Sequence, residues 1–592
     1  LPNEERADTV CLRTIFVTLV AIQAVGYAAI AWLSPAFAHD QGLEDRPLLT
    51  MLGLFAVCFV CSTASVGVAM RLGESRWLTG VIVAVAFAFR GLLLFTPPIQ
   101  EVDVYRYIWD GEVAAHGISP YRYPPAVILA AHDGRAQAPG DDAPELARLV
   151  QLLKHSPGLA DSLRRVHYLE LTTIYPPVSQ AVFAGAAMLM PADASAFMRV
   201  TIMKSVLLAF DMATLGLVFW LLRMAGKPMG LAILYGWCPL VIKEYANSGH
   251  LDSITVCLTT AALCLVARAW CRCGSETARW SLASAVLLGL AVGGKIYPVI
   301  LVPLVAFVTA SRAGVRRAAV ACAATILTSA LCLAPMLWPS SGDDDSVATD
   351  PSGTTIGVAA FVSRWEINDL VFIVALENIR PIDPAAHIPP AWFAIVPNAF
   401  RCAAINPLAA FLGVSTDRAA FWAARGLTGL VFLLILLTLV RRASRDPSLP
   451  RFLEAAFLTI AWFWLLAPTQ NPWYWTWALP VIPFARGWAW RAVSGLVFLS
   501  YLRFWLIYRY PEAGVFGTAY NGSQFFDFVI PWVEFGPLFL WLAIAAMLRP
   551  QALDPPGSSH EGLCGEVHRA LAALPLRSPD PDTPLPNTNG GT

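Results

Sequence analysis

Residues 48–70 read LLTMLGLFAVCFVCSTASVGVAM, 23 positions without a charged side chain, closed by Arg71. As an α-helix the run would rise about 34 Å, enough to cross a hydrocarbon core of ~30 Å. Working outward, comparable apolar runs recur at 14–33, 77–96, 200–222, 229–242, 250–270, 280–293, 296–311, 317–338, 420–440, 452–467, 473–486, 489–507 and 529–548. The chain has 592 residues, 57% of them hydrophobic and 14% charged, with a mean hydropathy of +0.58. That is more apolar surface than a soluble core of this size would bury, so the bilayer is the expected solvent. The pattern predicts an all-α polytopic membrane protein with roughly 11 to 14 transmembrane helices. The formal net charge is zero, and no basic excess points to nucleic acid. Cysteines such as Cys58, Cys61, Cys257, Cys264, Cys322 and Cys332 fall inside apolar runs and read as small helix residues.

Charge then orients the spans. Arg and Lys cluster at 71–76, 223–227, 268–279, 312–317, 441–451 and 486–491, which the positive-inside rule assigns to the cytoplasm together with both termini. The loops 34–47, 97–177 and 339–419, and the turns near 243–250, 294–298 and 468–472, are then expected on the extracytoplasmic side. The segment 178–192 is too short to span and is read as a helix that dips into the membrane or lies on the bundle. The organisation follows: N-terminal spans 1–96, a catalytic loop 97–177, a core 178–338 carrying polar motifs, a second loop 339–419, C-terminal spans 420–548, and a Pro- and Ser-rich tail 549–592 predicted to be disordered. A multi-pass protein of a bacterial plasma membrane is the expected setting.

Polar insertions at the span ends carry the chemistry. The first loop opens Glu101-Val-Asp103-Val-Tyr105-Arg106-Tyr107-Ile-Trp109-Asp110, followed by Gly117-Ile-Ser119-Pro120-Tyr121. On a helix Asp103, Tyr107 and Asp110 share one face, where carboxylates can do acid/base work; the plainer reading is a solvated interfacial helix anchored by aromatics. Further insertions follow: Tyr175-Pro176-Pro177, Lys243 to Asp252 with His250, Lys295-Ile-Tyr297-Pro298, and Gln470 to Trp475. Ionisable groups at span ends are unfavourable unless they face a cavity or a partner, so their recurrence on one side predicts a common polar cleft. A carboxylate there could take a hydroxyl proton while cations meet a departing phosphate. Each piece has a bland counterpart. His250 and Asp252 alone are no metal site and suit a helix start; Lys295 could simply snorkel; Asp211, inside the span 200–222, is either functional or held by a structural hydrogen bond. The sequence requires no cofactor, and a divalent metal is compatible with it but not demanded.

At these residues the chain resembles the GT-C mannosyltransferases that use polyprenyl-phosphate mannose, GPI mannosyltransferase I most closely and the mycobacterial polyprenol-phosphate-mannose-dependent enzymes more loosely. The family's acidic pair, Tyr, second Asp and Gly-x-Ser-Pro-Tyr turn look like Glu101 and Asp103, Tyr105, Asp110, and Gly117 to Tyr121. Its Tyr-x-Tyr-x-Pro element resembles Thr173 to Pro177. Its Asn-Pro followed by Gly-Asn-x-Glu-Ser resembles Cys238-Pro239 followed by Gly249 to Ser253. Its Lys-x-Tyr-Pro-Val is matched by Lys295 to Val299, and its Gln-Tyr-x-x-Trp signal resembles Asn471 to Trp475. Two departures stand out: Glu101 replaces the first Asp of the usual pair, and residues 126–171, with Arg164, Arg165, His167 and Glu170, form an insertion that would cover the cleft or shape an acceptor site.

The resemblance implies a GT-C-type multi-spanning fold and an inverting glycosyltransferase. It would move a hexose, mannose first, from a polyprenyl-phosphate donor to a lipid-linked or glycan acceptor, among membrane lipids and without nucleic acid. Asp103, with Glu101 beside it, is then the expected catalytic carboxylate. Lys295, Lys243, Arg106 and His250 are expected to hold the donor phosphate, and Tyr105, Asp110, Tyr175, Asp252 and Tyr297 to shape the site. The alternative from another class is a transporter or flippase of lipid-linked sugars, which would more often show internal repeats and ionisable groups near the midplane. A surface-polymer phosphotransferase or ligase is a third reading that does not need the Glu-x-Asp run.

Overall fold

The computed structural model describes residues 2–135, 144–272, 275–337, 366–382, 389–446 and 448–548. The predicted tail 549–592 and residues 338–365 of the second loop lie outside the described residues. The chain divides into two compact units, Leu1–Trp541 and Leu542–Thr592. The first is all-α; among the described residues the β pairing is a single isolated parallel bridge between Ile367 and Thr469.

Ten helices among the described residues are long and apolar enough to cross a membrane. They are apolar almost all round, as expected where one side meets lipid and the other a packed bundle. On Thr416–Arg445, Leu430, Leu434 and Leu437 are exposed while Leu436, Leu439 and Val440 are buried. Serine caps fix several starts. Ser75 accepts from the Leu78 amide at 3.1 Å, and Ser195 from the Met198 amide at 3.3 Å, each satisfying a donor that the first helical turn leaves free.

Four segments predicted as spans are not single long helices. Residues 229–242 break into short turns, Met229–Ala232, Ile233–Gly236 and Pro239–Val241, and continue into a π-helical turn Ile242–Asn247. Residues 473–486 form two 3₁₀ segments, Pro472–Trp477 and Leu479–Phe484. The run 489–507 is Trp488–Leu496, a 3₁₀ turn Val497–Tyr501 and Leu502–Arg509. The run 296–311 starts as a 3₁₀ turn, Tyr297–Leu301, before Val302–Ala313. Proline explains three of them: Pro239, Pro472, Pro480, Pro483, Pro298 and Pro303 each lack the amide that an α-helix needs and crowd the preceding turn. In the 489–507 run no proline intervenes, and we have no physical account of its 3₁₀ turn. As expected, the segment after Pro176 is too short to span: its helix, Pro177–Ala187, packs on Asp103–Ala115. Gly111 permits that contact, since a Cβ there would collide with the carbonyl oxygen of Phe183.

Several intramembrane charges close on themselves. Asp211 accepts from Arg90 Nε at 2.5 Å and Arg90 Nη2 at 3.1 Å, and from Tyr235 at 2.7 Å, all fully buried. Arg90 also donates to the carbonyls of Ala86 and Gly236. Of the two readings of Asp211, the structural one therefore holds. Lys204, on Ala196–Met224, donates to the carbonyls of Leu93 and Thr96 at 3.2 and 3.0 Å, capping Arg76–Leu94 just before the acidic motif.

Candidate functional site

The polar insertions meet in one cleft of about 760 Å³. Its walls come from 100–107, 167–176, 251–252, 295–300, 463–477 and 500–504, with Met336, Ile367 and Arg425. Asparagine holds the first wall in place: Asn247 Oδ1 accepts from the Ile99 amide at 2.8 Å, while its Nδ2 donates to Thr96 Oγ1 and to the Pro97 carbonyl, each at 2.9 Å. The π-helical turn is thus tied to the strap that carries Glu101 and Asp103. Gly249, at a φ of 68°, turns the chain into Asp252–Trp270, a conformation that favours glycine.

Glu101 and Asp103 line the cleft, and neither carboxylate makes a hydrogen bond or ion pair with a described residue. Burial pushes the Glu101 carboxyl up to about 7; Asp103 and Glu244 add to the rise, and Lys243 and His250 oppose it. Across the cleft Lys295 donates to Asp252 Oδ1 at 2.7 Å, and Trp477 Nε1 donates to the same oxygen at 2.5 Å. Asp252 Oδ2 is buried without a partner. Aromatic faces surround that pair. The Lys295 ammonium lies 4.2 Å from the Tyr474 ring centre and 5.2 Å from that of Trp477; Tyr297 stacks on Trp477 at 4.0 Å. Desolvation lowers the Lys295 pKa, and Asp252 and Asp103 counteract it. A cation against aromatic faces gains on the order of 0.5–2 kcal/mol, so Lys295 is held here rather than snorkelling.

The other predicted residues separate into wall and backing. Arg106, Tyr175 and Tyr297 line the cleft with Asp252. Arg106 is tethered, donating through Nε to Asp110 at 2.9 Å and through Nη1 to the Leu171 carbonyl at 3.0 Å; its Nη2 is buried without a partner. Asp110 lies behind it, accepting also from Gln180 at 3.1 Å. Tyr105 turns to the insertion, where Arg165 sits over its ring at 5.6 Å. Lys243 and His250 are almost fully buried beneath the cleft. Lys243 donates to Glu244 at 3.2 Å and to the Tyr501 hydroxyl, which donates to Glu244 Oε1 at 2.6 Å. His250 Nε2 lies 3.3 Å from Glu244 Oε2, and its ring stacks on Trp473 at 4.3 Å. These two side chains back the wall and are not among the residues lining the cavity.

The cleft also holds His167, from the insertion expected to cover it, and four residues that no motif pointed to: Trp477, Tyr501, Arg503 and Phe504. His167 comes from the insertion, whose short helix Pro157–Arg164 packs on the acidic helix and is itself packed by Pro144–His155. Burial pushes its imidazole pKa down, against the pull of Asp103. Part of the second loop also reaches the wall. The Ile367 amide donates to the Pro468 carbonyl at 3.0 Å, and the Gln470 amide to Ile367 at 2.9 Å. Among the described residues no group of three or more His, Cys, Asp or Glu side chains is placed to hold a metal ion.

Together these features define a class: a polytopic helical membrane protein with a charged, aromatic-lined cleft among its interhelical segments. No family model, no curated protein and no solved structure matches the chain.

Proposed function

We propose that the protein is a membrane glycosyltransferase that moves a hexose, mannose first, from a polyprenyl-phosphate sugar to a lipid-linked or glycan acceptor with inversion. The observation that carries this reading is the pair of carboxylates, Glu101 and Asp103, without a partner among the described residues, in a cleft that also holds Lys295, Arg106 and Arg503. Asp103 takes the proton of the acceptor hydroxyl as that oxygen attacks the anomeric carbon. The bond between the anomeric carbon and the phosphate oxygen breaks, and its electron pair leaves with the polyprenyl phosphate. Lys295 and Arg106 neutralise that charge. Such a leaving group needs no strong general acid, so one base suffices. The stacked rings of Tyr297, Trp477 and Tyr474 line the cleft and exclude water from it. Apolar side chains at one side, including Val299, Ile300, Met336 and Phe463, suit a prenyl chain that stays in hydrocarbon.

An extracytoplasmic cleft explains a lipid donor, because nucleotide sugars are not expected on that side. The test is turnover by purified protein in lipid nanodiscs supplied with radiolabelled polyprenyl-phosphate mannose or with GDP-mannose. Transfer of label with release of polyprenyl phosphate is expected from the lipid donor alone. Turnover of GDP-mannose in the absence of any lipid intermediate overturns the donor assignment, and cytoplasmic labelling of a cysteine placed beside Asp103 overturns the sidedness.

A further inference from the structure

Beside the cleft lies a second cavity of about 520 Å³, lined by Glu44, Arg46, Trp505, Tyr508, Arg509 and Tyr510 among others. Arg46 and Glu44 come from the connection after the first span, and the rest from the end of Leu502–Arg509 and the residue after it. One side chain stands between the two cavities. Gln100 lines the cleft, accepts from Arg46 Nη1 at 2.5 Å and donates to the Tyr508 hydroxyl at 3.4 Å. Its backbone sits at a φ of 65°, a region that a residue with a Cβ seldom adopts without support from its surroundings. The support comes from Arg46 and Tyr508, so the second cavity fixes the residue that precedes Glu101.

The second cavity has the chemistry of a binding site. Arg46 Nε is buried without a partner, and Arg509 makes no ion pair or side-chain hydrogen bond with a described residue. Guanidinium groups match the planar oxygens of a carboxylate or phosphate. Trp505, Tyr508 and Tyr510 offer rigid apolar faces with polar tips, the combination that receives the apolar face of a sugar ring and still bonds its hydroxyls. Glu44 adds an acceptor for a hydroxyl and leaves the formal charge of the lining at plus one. The volume falls within the range of small-molecule sites. We propose that this cavity binds an acidic sugar, a carboxylated or phosphorylated pyranose, whose anion meets Arg46 and Arg509 while its ring lies on the aromatic side chains. That this sugar belongs to the acceptor rests on the transferase reading above; the binding itself does not.

The experiment measures binding and not transfer, so its failure is distinct from failure of the transferase reading. The full chain in phosphatidylcholine nanodiscs is titrated with glucuronic acid and mannose 6-phosphate, with glucose, mannose and inorganic phosphate as comparisons, by saturation-transfer NMR and competition. The acidic sugars are expected to bind saturably and at least about tenfold more tightly than the neutral ones, the scale of one charge-assisted hydrogen bond. Arg509→Gln should bring them to the neutral level, and Trp505→Leu should weaken all the sugars. Unfolding profiles matching wild type verify that the variants are folded. The proposal is overturned by equal affinity for acidic and neutral sugars, by inorganic phosphate competing as well as mannose 6-phosphate, or by acidic-sugar binding that survives unchanged in Arg509→Gln. It is equally overturned if phosphatidylglycerol in the nanodiscs displaces the sugars, since the cavity would then be a lipid headgroup site.

Discussion

Buried charge takes two forms in this molecule. Around Arg90 and Asp211, and around Glu112 and Arg199, every charged group has an opposite partner, and the guanidinium groups make further hydrogen bonds: Arg199 reaches Glu112, Ser156 and the carbonyls of Ala192 and Ala194. At Glu101 and Asp103 the carboxylates face a cavity with no such partner among the described residues. Both forms come from acidic residues in apolar surroundings, and two of the four lie on one helix, Asp103–Ala115. An isolated charge is so unfavourable in low dielectric that a fold either pairs it or opens it to water and ligand. The closed pairs hold the bundle; the open carboxylates are available for chemistry.

The sharpest break between the two forms is a matched pair of substitutions. Asp103→Asn keeps size and removes basicity, and loss of a positioned base typically lowers a rate by ~10² to 10⁴. Its yield and unfolding profile should match the wild type, because no protein partner is lost. Asp211→Asn should do the reverse, leaving Arg90 buried and uncompensated, a change that typically destabilises by roughly 3–5 kcal/mol. Turnover assays and thermal unfolding of both purified variants check this. Normal turnover in Asp103→Asn, or normal stability in Asp211→Asn, would erase the distinction.

Lys295 stands between the two forms, paired with Asp252 yet lining the cleft. Lys295→Met should raise the half-saturating donor concentration about tenfold or more, the scale of a lost charge-assisted hydrogen bond. It also strands Asp252, so Lys295→Met is to be compared with the double variant Lys295→Met, Asp252→Asn. The double variant is expected to recover stability but not donor affinity. If titration of the donor shows affinity restored as well, Lys295 serves only to neutralise Asp252.

Much of this arrangement was legible in the sequence, and the limits have physical causes. Asp103 and Lys295 announce themselves because a charge at the end of an apolar run has few places to go. Asp110 carries the same signal on the same helix, but its fate depends on Arg106 and on Gln180, 70 positions away; Glu112 depends on Arg199, 87 positions away. Local spacing cannot tell a carboxylate that will be met by a distant partner from one that will not. Lys243 and His250 went to the backing for the same reason, captured by Glu244, Tyr501 and Trp473. Tyr501, inside the run 489–507, looks like an interfacial aromatic until the π-helical turn brings Glu244 to it. Segment length was read from apolar content, which does not register how Pro480 and Pro483 break the run into 3₁₀ turns. The second cavity had no motif at all: its residues are few and spread over two distant stretches, both of which bond to Gln100.

The smallest predicted effect separates the two open carboxylates from each other. Burial raises the Glu101 carboxyl to about 7, so its proton is present below that pH and lost above it. An ionised Glu101 puts a second negative charge next to Asp103, in the cavity proposed to receive a phosphodiester that is itself anionic at neutral pH. Donor binding should therefore weaken as pH rises through about 7, and weaken only several-fold, because Lys243 and His250 beneath the cleft offset part of the new charge. Glu101→Gln holds the neutral form at every pH. The half-saturating donor concentration of this variant should stay flat between pH 6 and 8, about where the wild type sits at the acid end, while the wild-type value climbs. The measurement is a donor titration at each pH for both proteins, with the turnover rate fitted separately from the half-saturating concentration. A slope that survives in Glu101→Gln would assign the titration to another group lining the cleft, and would leave Glu101 as a support for Asp103 and not a switch on donor affinity.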